Sequence, residues 1–281
     1  MKQFSQVIPL QTELKEQRNK THKIAFAPTM GALHLGHVSL IEIGKQYAEK
    51  SVCSIFVNPT QFNNKEDLAK YPRMYEQDVL LLEKVGCDFL FAPSVDEMYP
   101  HGLDTKVNID LKGLDSVMEG EFRPGHFAGM LQVVKRLLDI VHPDFLIMGQ
   151  KDFQQFSLVH HMINTLQLPV KLVMAPTLRE ADGLAMSSRN LRLSPEMRKK
   201  SNIIFAALSH IREHFSIQSP GKLATQAMER IEKMGLKPEY VEIVDQSNLQ
   251  RVKTINAPNA VVCVAAWADD VRLIDNMILS D

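Results

Sequence analysis

The stretch KIAFAPTMGALHLGHVSLIEIGKQYAEK (23–50) holds three kinds of sequence in succession: a short apolar run, a loop with a proline, two glycines and two histidines, and a segment of helical periodicity. An apolar run without alternation marks a strand covered on both faces, since a half-exposed strand would read apolar-polar-apolar. The same unit recurs at VCSIFV (52–57), DFLFA (88–92), DFLIM (144–148) and VKLVMA (170–175), with amphipathic stretches such as GMLQVVKRLLDIV (129–141) between them. Buried strands alternating with helices specify an α/β fold, a Rossmann-like parallel sheet with helices on both faces.

In such a sheet, ligands collect where the strands end and the loops begin. The loops expected there are PTMGALHLGH (28–37), NPTQF (58–62), GQKDFQQ (149–155) and PTLREADGLAMSSRN (176–190), all rich in donors, acceptors or cations. A loop expected at the opposite end, LQLP (166–169), is bland. The asymmetry places one site at one end of the sheet.

Beyond about residue 185 the pattern changes. SPEMRKKSNIIFAALSHIREHF (194–215) reads as one helix with Ser194 as N-cap and Pro195 in its first turn. YVEIVD (240–245), AVVCVAAW (260–267) and VRLID (271–275) read as antiparallel strands with a turn at ADD. The expected organisation is a Rossmann-like domain over 1–177 and a smaller α+β lid domain over 178–281.

Bulk composition narrows the function classes. A chain of 281 residues with 45% apolar content has ample core, and a formal charge of −1 speaks against a broad nucleic-acid surface. No apolar run is long enough to span a bilayer, and the acid- and amide-bearing N-terminus does not resemble a signal peptide. Cys53, Cys87 and Cys263 are too scattered for a zinc site or a disulfide framework. The expectation is a cytoplasmic protein with neither nucleic acid nor membrane as partner.

His34 and His37 admit several readings. Helical metal pairs favour i, i+4 spacing, whereas these are i, i+3 with no acid or cysteine nearby, so no protein metal site is expected. Gly31-x-x-x-x-Gly36 matches half of a Walker A loop, but His37-Val38 stands where Lys-Ser/Thr is required. The Gly-x-Gly-x-x-Gly fingerprint is absent. What fits is a strand-to-helix turn, with a helix starting close to His37, whose backbone N–H groups and two imidazoles address a phosphate.

Thr29-Met30-Gly31-x-Leu33-His34-x-Gly36-His37 resembles the His-x-Gly-His signature of the nucleotidyltransferase superfamily. With SIFVNPTQF, YPR, FAPS, MYP, EGEFRPGHF, GQKDFQQ, DGLAMSSRN and VAAWADDVRLIDN, in order and nearly end to end, the chain resembles the pantothenate synthetase (pantoate–β-alanine ligase) family. That resemblance implies ATP-dependent condensation of pantoate with β-alanine through pantoyl adenylate, Mg2+ bound with the ATP phosphates, and a homodimer. It also implies roles. ATP binding falls to Met30, Gly31, Ala32, Leu33, His34, Leu35, Gly36 and His37, to Gly149, Gln150, Lys151 and Asp152, and to Leu178, Met186, Ser187, Ser188 and Arg189. His34, His37, Lys151 and Arg189 would be catalytic, Gln61 and Gln155 would bind pantoate, and Gln61 would also bind β-alanine.

Weaker candidates are Asn58, Arg123 and His126 near pantoate and Asp78 near magnesium, the last more simply a surface helical carboxylate. Met130 reads as core, and His160, His161, His210 and His214 as helix residues without chemistry. Competing readings are a tRNA-synthetase-like adenylating enzyme, a nucleotidyltransferase acting on a phosphorylated alcohol, and a silent nucleotide-binding regulator.

Overall fold

The computed structural model describes residues 1–62, 68–69, 71–103 and 105–280. Contacts divide the chain into two units, Met1–Gly149 with Leu158–Ala175, and Gln150–Ser157 with Pro176–Asp281.

The first unit is built on six parallel strands: β1 (Lys2–Phe4), β2 (Ile24–Thr29), β3 (Lys50–Ile55), β4 (Phe89–Phe91), β5 (Phe145–Gly149) and β6 (Lys171–Ala175), in the spatial order β1-β4-β3-β2-β5-β6. Five of them lie on the five apolar runs. β1 has no signal in the sequence because Lys2-Gln3-Phe4 offers one apolar residue and no period; it is recruited as an edge strand by pairing with Phe89–Phe91. Burial explains why the runs do not alternate. Ala25, Ala27, Cys53 and Ile147 enter a cluster with Leu40, Ile41 and Leu82 from the helices Leu35–Gly44 and Tyr75–Lys84. Phe26, Val52 and Leu146, one residue out of phase, are fully buried as well, so both faces are covered.

The strand order reverses at β2, which has β3 on one side and β5 on the other. β2 pairs with β3 through to Thr29, but with β5 only at Ala25↔Phe145 and Phe26↔Leu146. Beyond that the carboxyl ends of β2 and β5 part. Pro28, which brings no N–H to a ladder, sits in the parted section. Divergence at a reversal of strand order is the crevice in which open α/β sheets hold ligands.

The second unit carries an antiparallel sheet, β7 (Lys237–Asp245), β8 (Ala260–Ala268) and β9 (Val271–Ile278), in the order β7-β8-β9. Asp269, at φ 54°, and Asp270 make the two-residue turn between β8 and β9. Ile204, Leu208 and Ile211 pack with Leu223, Ala227 and Ile231 and with Val262 and Val264 of β8. The single helix expected over 194–215 is two, Pro195–Lys200 and Ile203–His214. Ser194 caps the first as expected, accepting from the Met197 N–H at 3.2 Å. At the junction the Ile204 N–H bonds the Ser201 carbonyl at 3.2 Å, three residues back rather than four, and this tightened turn ends the first helical ladder. All three cysteines are free and buried, and among the described residues no helix is long and apolar enough to cross a membrane.

Candidate active site

In the first unit, the loop leaving β2 turns through Gly31 (φ 82°) and Ala32 (φ 49°), both left-handed, and enters the helix Leu35–Gly44 two residues before the expected start at His37. Glycine suits the first position, where Asp78 Oδ2 and Ile55 would lie 3.1 Å from an added Cβ. Ala32 takes a conformation that costs an L-residue about 1–2 kcal/mol. Asp78, from the helix Tyr75–Lys84, holds it there: its two oxygens accept the Ala32 and Leu33 N–H groups at 2.9 and 2.7 Å. Thr29 Oγ1 receives the Gly31 N–H and donates to the Ser54 carbonyl at 2.6 Å, which ties the loop to β3. Asp78 is therefore no surface carboxylate. It is 1% exposed, and burial pushes its carboxyl above the ordinary value although the two amides pull it back.

The histidines are organised by this turn. His34 is the N-cap, its Nδ1 accepting the Gly36 N–H at 3.1 Å, while His37 Nδ1 lies 3.3 Å from the His34 N–H in a reciprocal capping arrangement. The rings stand 4.1 Å apart, tilted by 41°. A ring nitrogen that accepts a backbone N–H carries no proton, so in the neutral ring the proton is on Nε2. Two Nε2–H donors beside a helix N-terminus suit an anion; they do not suit a metal ion. Met30 and Gly36 are half-buried here, Leu35 is exposed, and Gly31, Ala32 and Leu33 form the buried floor.

The loop after β3 lies in the same unit. Its Pro59–Gln61 turn is seated on the helix His126–Val141 at Gly129, where a Cβ would sit 2.1 Å from the Thr60 carbonyl oxygen. Asn58 is fully buried and its amide spans the junction, donating to Gly129 O at 3.1 Å and Thr60 Oγ1 at 2.9 Å and accepting from Tyr99 OH at 3.0 Å. These partners make Asn58 a structural pin. His126 Nδ1 donates to the Gln61 carbonyl at 3.0 Å, positioning that backbone, and Gln61 is 8% exposed. Met130 is buried in the core, as read from its helical position.

In the second unit, Gln150, Lys151 and Asp152 form a short 3-10 turn ahead of the helix Phe153–Thr165, and Gln155 lies half-buried on that helix. The Lys151 side chain is 16% exposed, with its ammonium 3.9 Å from Asp152. Its backbone is gripped by Asn276 of β9, whose Nδ2 donates to both the Gln150 and Lys151 carbonyls at 2.9 Å while its Oδ1 accepts from Gln150 Nε2 at 3.1 Å. Next to it, Asp275 makes a two-pronged pair with Arg179 (2.6 and 3.0 Å). Arg179 also donates to the Gly183 carbonyl at 3.1 Å and stacks over Phe205 at 4.6 Å. Burial raises the Asp275 carboxyl and the Arg179 guanidinium lowers it again. Arg179 pairs with Ala185, and the Met186 N–H reaches the Leu178 carbonyl at 3.0 Å, closing the turn that delivers Ser187. Ser187 Oγ accepts the Arg189 N–H at 3.3 Å and caps the 3-10 turn Ser188–Arg192.

Each predicted segment thus has a defined geometry in its own unit: Met30–His37 and Gln61 in the first, with Gly149 closing β5, and Lys151, Gln155 and Ser187–Arg189 in the second. Sequence reasoning gives Asp78 the wrong place and passes over Asn276, Asp275 and Arg179. Asp275 leaves a trace, being a carboxylate in the buried phase of β9 with Val271, Leu273 and Met277. Asn276, buried out of phase, leaves none.

A family profile described as Pantoate-beta-alanine ligase matches residues 2–278. A pantothenate synthetase of Bacteroides fragilis is 44% identical over 282 residues, spanning 99% of this chain and 98% of that one. The crystal structure of a pantothenate synthetase from Thermus thermophilus superposes with a TM-score of 0.93 at 39% identity, covering 100% of both chains. A Francisella tularensis pantoate-beta-alanine ligase, solved in complex with beta-gamma ATP and beta-alanine, has a TM-score of 0.83 at 34% identity, covering 99% of this chain and 98% of that one. The chain belongs to the pantoate-beta-alanine ligase family.

Proposed function

We propose that this chain, an ATP-dependent pantoate–β-alanine ligase by family, acts in two steps through a pantoyl adenylate. A pantoate carboxylate oxygen attacks the α-phosphorus of ATP, and the bond to pyrophosphate breaks. The β-alanine amine nitrogen then attacks the acyl carbon, the amine gives up a proton, and AMP leaves with the electron pair of the broken mixed-anhydride C–O bond. Negative charge builds on the transferred phosphoryl and on pyrophosphate in the first step, so fixed donors and cations are what the protein must supply.

His34 and His37 are assigned as Nε2–H donors to phosphate oxygens, pre-aimed by their Nδ1 bonds to backbone. The Lys151 ammonium serves the α-phosphate. Ser187, Ser188 and Arg189 serve the departing pyrophosphate, where a guanidinium grips two oxygens at once. Met30–His37, Gly149–Asp152, Leu178 and Met186–Arg189 together are assigned to ATP. Gln61 and Gln155 are assigned to pantoate, and Gln61 also to β-alanine, since an amide donates to a carboxylate and accepts from an amine. Mg2+ is proposed to enter as part of the ATP substrate; the candidate ligand Asp78 has both oxygens committed to backbone N–H groups. The division into a 1–177 substrate domain and a 178–281 lid, homodimerisation and a cytoplasmic location are proposed on family grounds.

What carries the reading is the family match over residues 2–278. The test is pyrophosphate release from Mg-ATP with D-pantoate. A stoichiometric burst without β-alanine, and sustained release of AMP with pantothenate once β-alanine is added, is the expected result. Absence of both with pantoate, but activity with another carboxylate, would overturn it.

A further inference from the structure

We propose that His210, Glu213 and His214 form a binding site for a divalent ion of the zinc, nickel and copper class on the last turn of the helix Ile203–His214. The two imidazoles are four residues apart, which puts them one above the other on one helix face. Their centroids are 4.1 Å apart with a tilt of 38°. Ligand atoms from all three side chains lie within 4.8 Å of one another. Ligands around a tetrahedral zinc ion are spaced about 3.4 Å apart, so side-chain rotation alone closes the remaining gap.

The proton on His214 is placed by its partner. His214 Nδ1 lies 2.9 Å from the His210 carbonyl oxygen, and a carbonyl only accepts, so Nδ1 carries the hydrogen. The Nε2 lone pair is then the one a metal takes, in the arrangement by which protein imidazoles are oriented toward metals. The His34–His37 pair is the opposite case: its Nδ1 atoms accept and its Nε2 atoms carry protons, so those rings donate. Spacing separates the two pairs, i, i+3 against i, i+4, and hydrogen bonding assigns them different chemistry.

Gln226 and Arg230 of the adjoining helix Pro220–Lys233 face His210. The Gln226 side chain hydrogen-bonds the His210 ring and so orients it. Arg230 opposes a bound cation, whereas Glu213 and the helix C-terminus favour one. Two imidazoles with one carboxylate select borderline ions over Mg2+ and Ca2+, which take all-oxygen sets. Three protein ligands leave a fourth position for water. The ion would clamp the end of the helix to its neighbour through Gln226, and this does not depend on the proposed ligase residues.

The test uses the full chain without any histidine tag, stripped by a chelator and titrated calorimetrically with Zn2+, beside His210→Gln/His214→Gln. The expected result is one further equivalent of Zn2+ in the wild type, lost in the double variant. A thermal midpoint that climbs with Zn2+ only in the wild type should accompany it, with no response to Mg2+ in either. Glu213→Gln should weaken Zn2+ binding severalfold. Equal stoichiometry and affinity in wild type and double variant would overturn the site. Should the double variant fail to fold, His214→Gln and the exposed Glu213→Gln decide; unchanged affinity in both overturns it equally.

Discussion

Replacing Asp78 by alanine should damage stability and ATP binding together, because one carboxylate holds the turn on which the histidines stand. Its oxygens take the N–H groups of Ala32 and Leu33, which are 3% and 9% exposed and out of reach of bulk water. Each buried N–H left without an acceptor costs about 1–3 kcal/mol. Against that stands the relief of removing a carboxylate that burial disfavours. The net loss should be about 2–4 kcal/mol. Left-handed Ala32 then has nothing to hold it, so the loop relaxes and His34 loses its capping geometry. Urea unfolding followed by circular dichroism gives the stability, and pyrophosphate release gives the KM for ATP, expected to rise about tenfold or more. A stability loss below about 0.5 kcal/mol with an unchanged KM would refute the argument, since a surface substitution behaves that way.

Asp78→Asn separates charge from acceptor. It keeps one carbonyl oxygen, discards the buried charge, and should cost less than half of what alanine costs. The pH dependence has a definite sign. With its folded-state pKa raised above the unfolded value, Asp78 binds its proton more tightly in the folded chain. Its contribution is fully present below the unfolded pKa and is lost as pH rises through the folded one. The stability of wild type relative to Asp78→Asn should therefore fall with rising pH across the acidic range. A difference that grows with pH would sink the assignment of burial as the dominant cause.

Lys151→Ala should abolish the pyrophosphate burst with only a modest loss of thermal midpoint, because a largely buried methylene stem goes with the charge; a normal burst would cancel the role given to this ammonium. Asn276→Ala strips two carbonyls of their donor and should lower kcat at saturating ATP about tenfold or more, with some loss of stability. An Asn276→Ala enzyme of normal kcat would mean that the Lys151 backbone needs no such grip. Gly129→Ala places a methyl 2.1 Å from the Thr60 carbonyl oxygen and should raise the KM for pantoate by shifting the Gln61 turn, which steady-state kinetics would detect. The Asp182–Arg198 pair contributes in the other direction from Asp78: Arg198 lowers the Asp182 carboxyl, so its stabilisation is present above the unfolded pKa and lost as pH falls through the folded value. At this exposure it amounts to at most about 0.5 kcal/mol, and a double-mutant cycle across the acid range measures it.

Strands β2 to β6 are legible because burial on both faces writes itself into consecutive apolar residues, whatever the packing partners are. β1 is not, since three residues cannot show a period and its pairing is decided by the edge it finds. The helix break at Ser201 is hidden for a related reason: periodicity persists through it, and the break shows only where the Ile204 N–H bonds three residues back, to Ser201, instead of four. The surface-carboxylate reading of Asp78 fails because its helix Tyr75–Lys84 presents acids at 76, 78 and 83, and sequence alone does not say which of them faces inward.

The candidate site divides along the same line. Side chains proposed to meet substrate, such as His34, His37, Lys151 and Arg189, stand out in the sequence because they fall in the motifs that carry the family resemblance, on loops expected at the strand ends. The residues that aim them answer to local geometry instead. Asp78 is needed because Gly31 and Ala32 turn left-handed and leave two N–H groups facing inward; Asn276 because two successive carbonyls at Gln150 and Lys151 point at β9; Gly129 because a helix and a turn approach to within the width of a methyl group. None of these demands has a residue-type signature, since an Asp, an Asn or a Gly meets many others equally well. Even the histidines reveal their proton only through the partners of Nδ1, which give one pair donors and the other a lone pair. Spacing narrows what an imidazole can do, and the atom on the far side of the ring decides it.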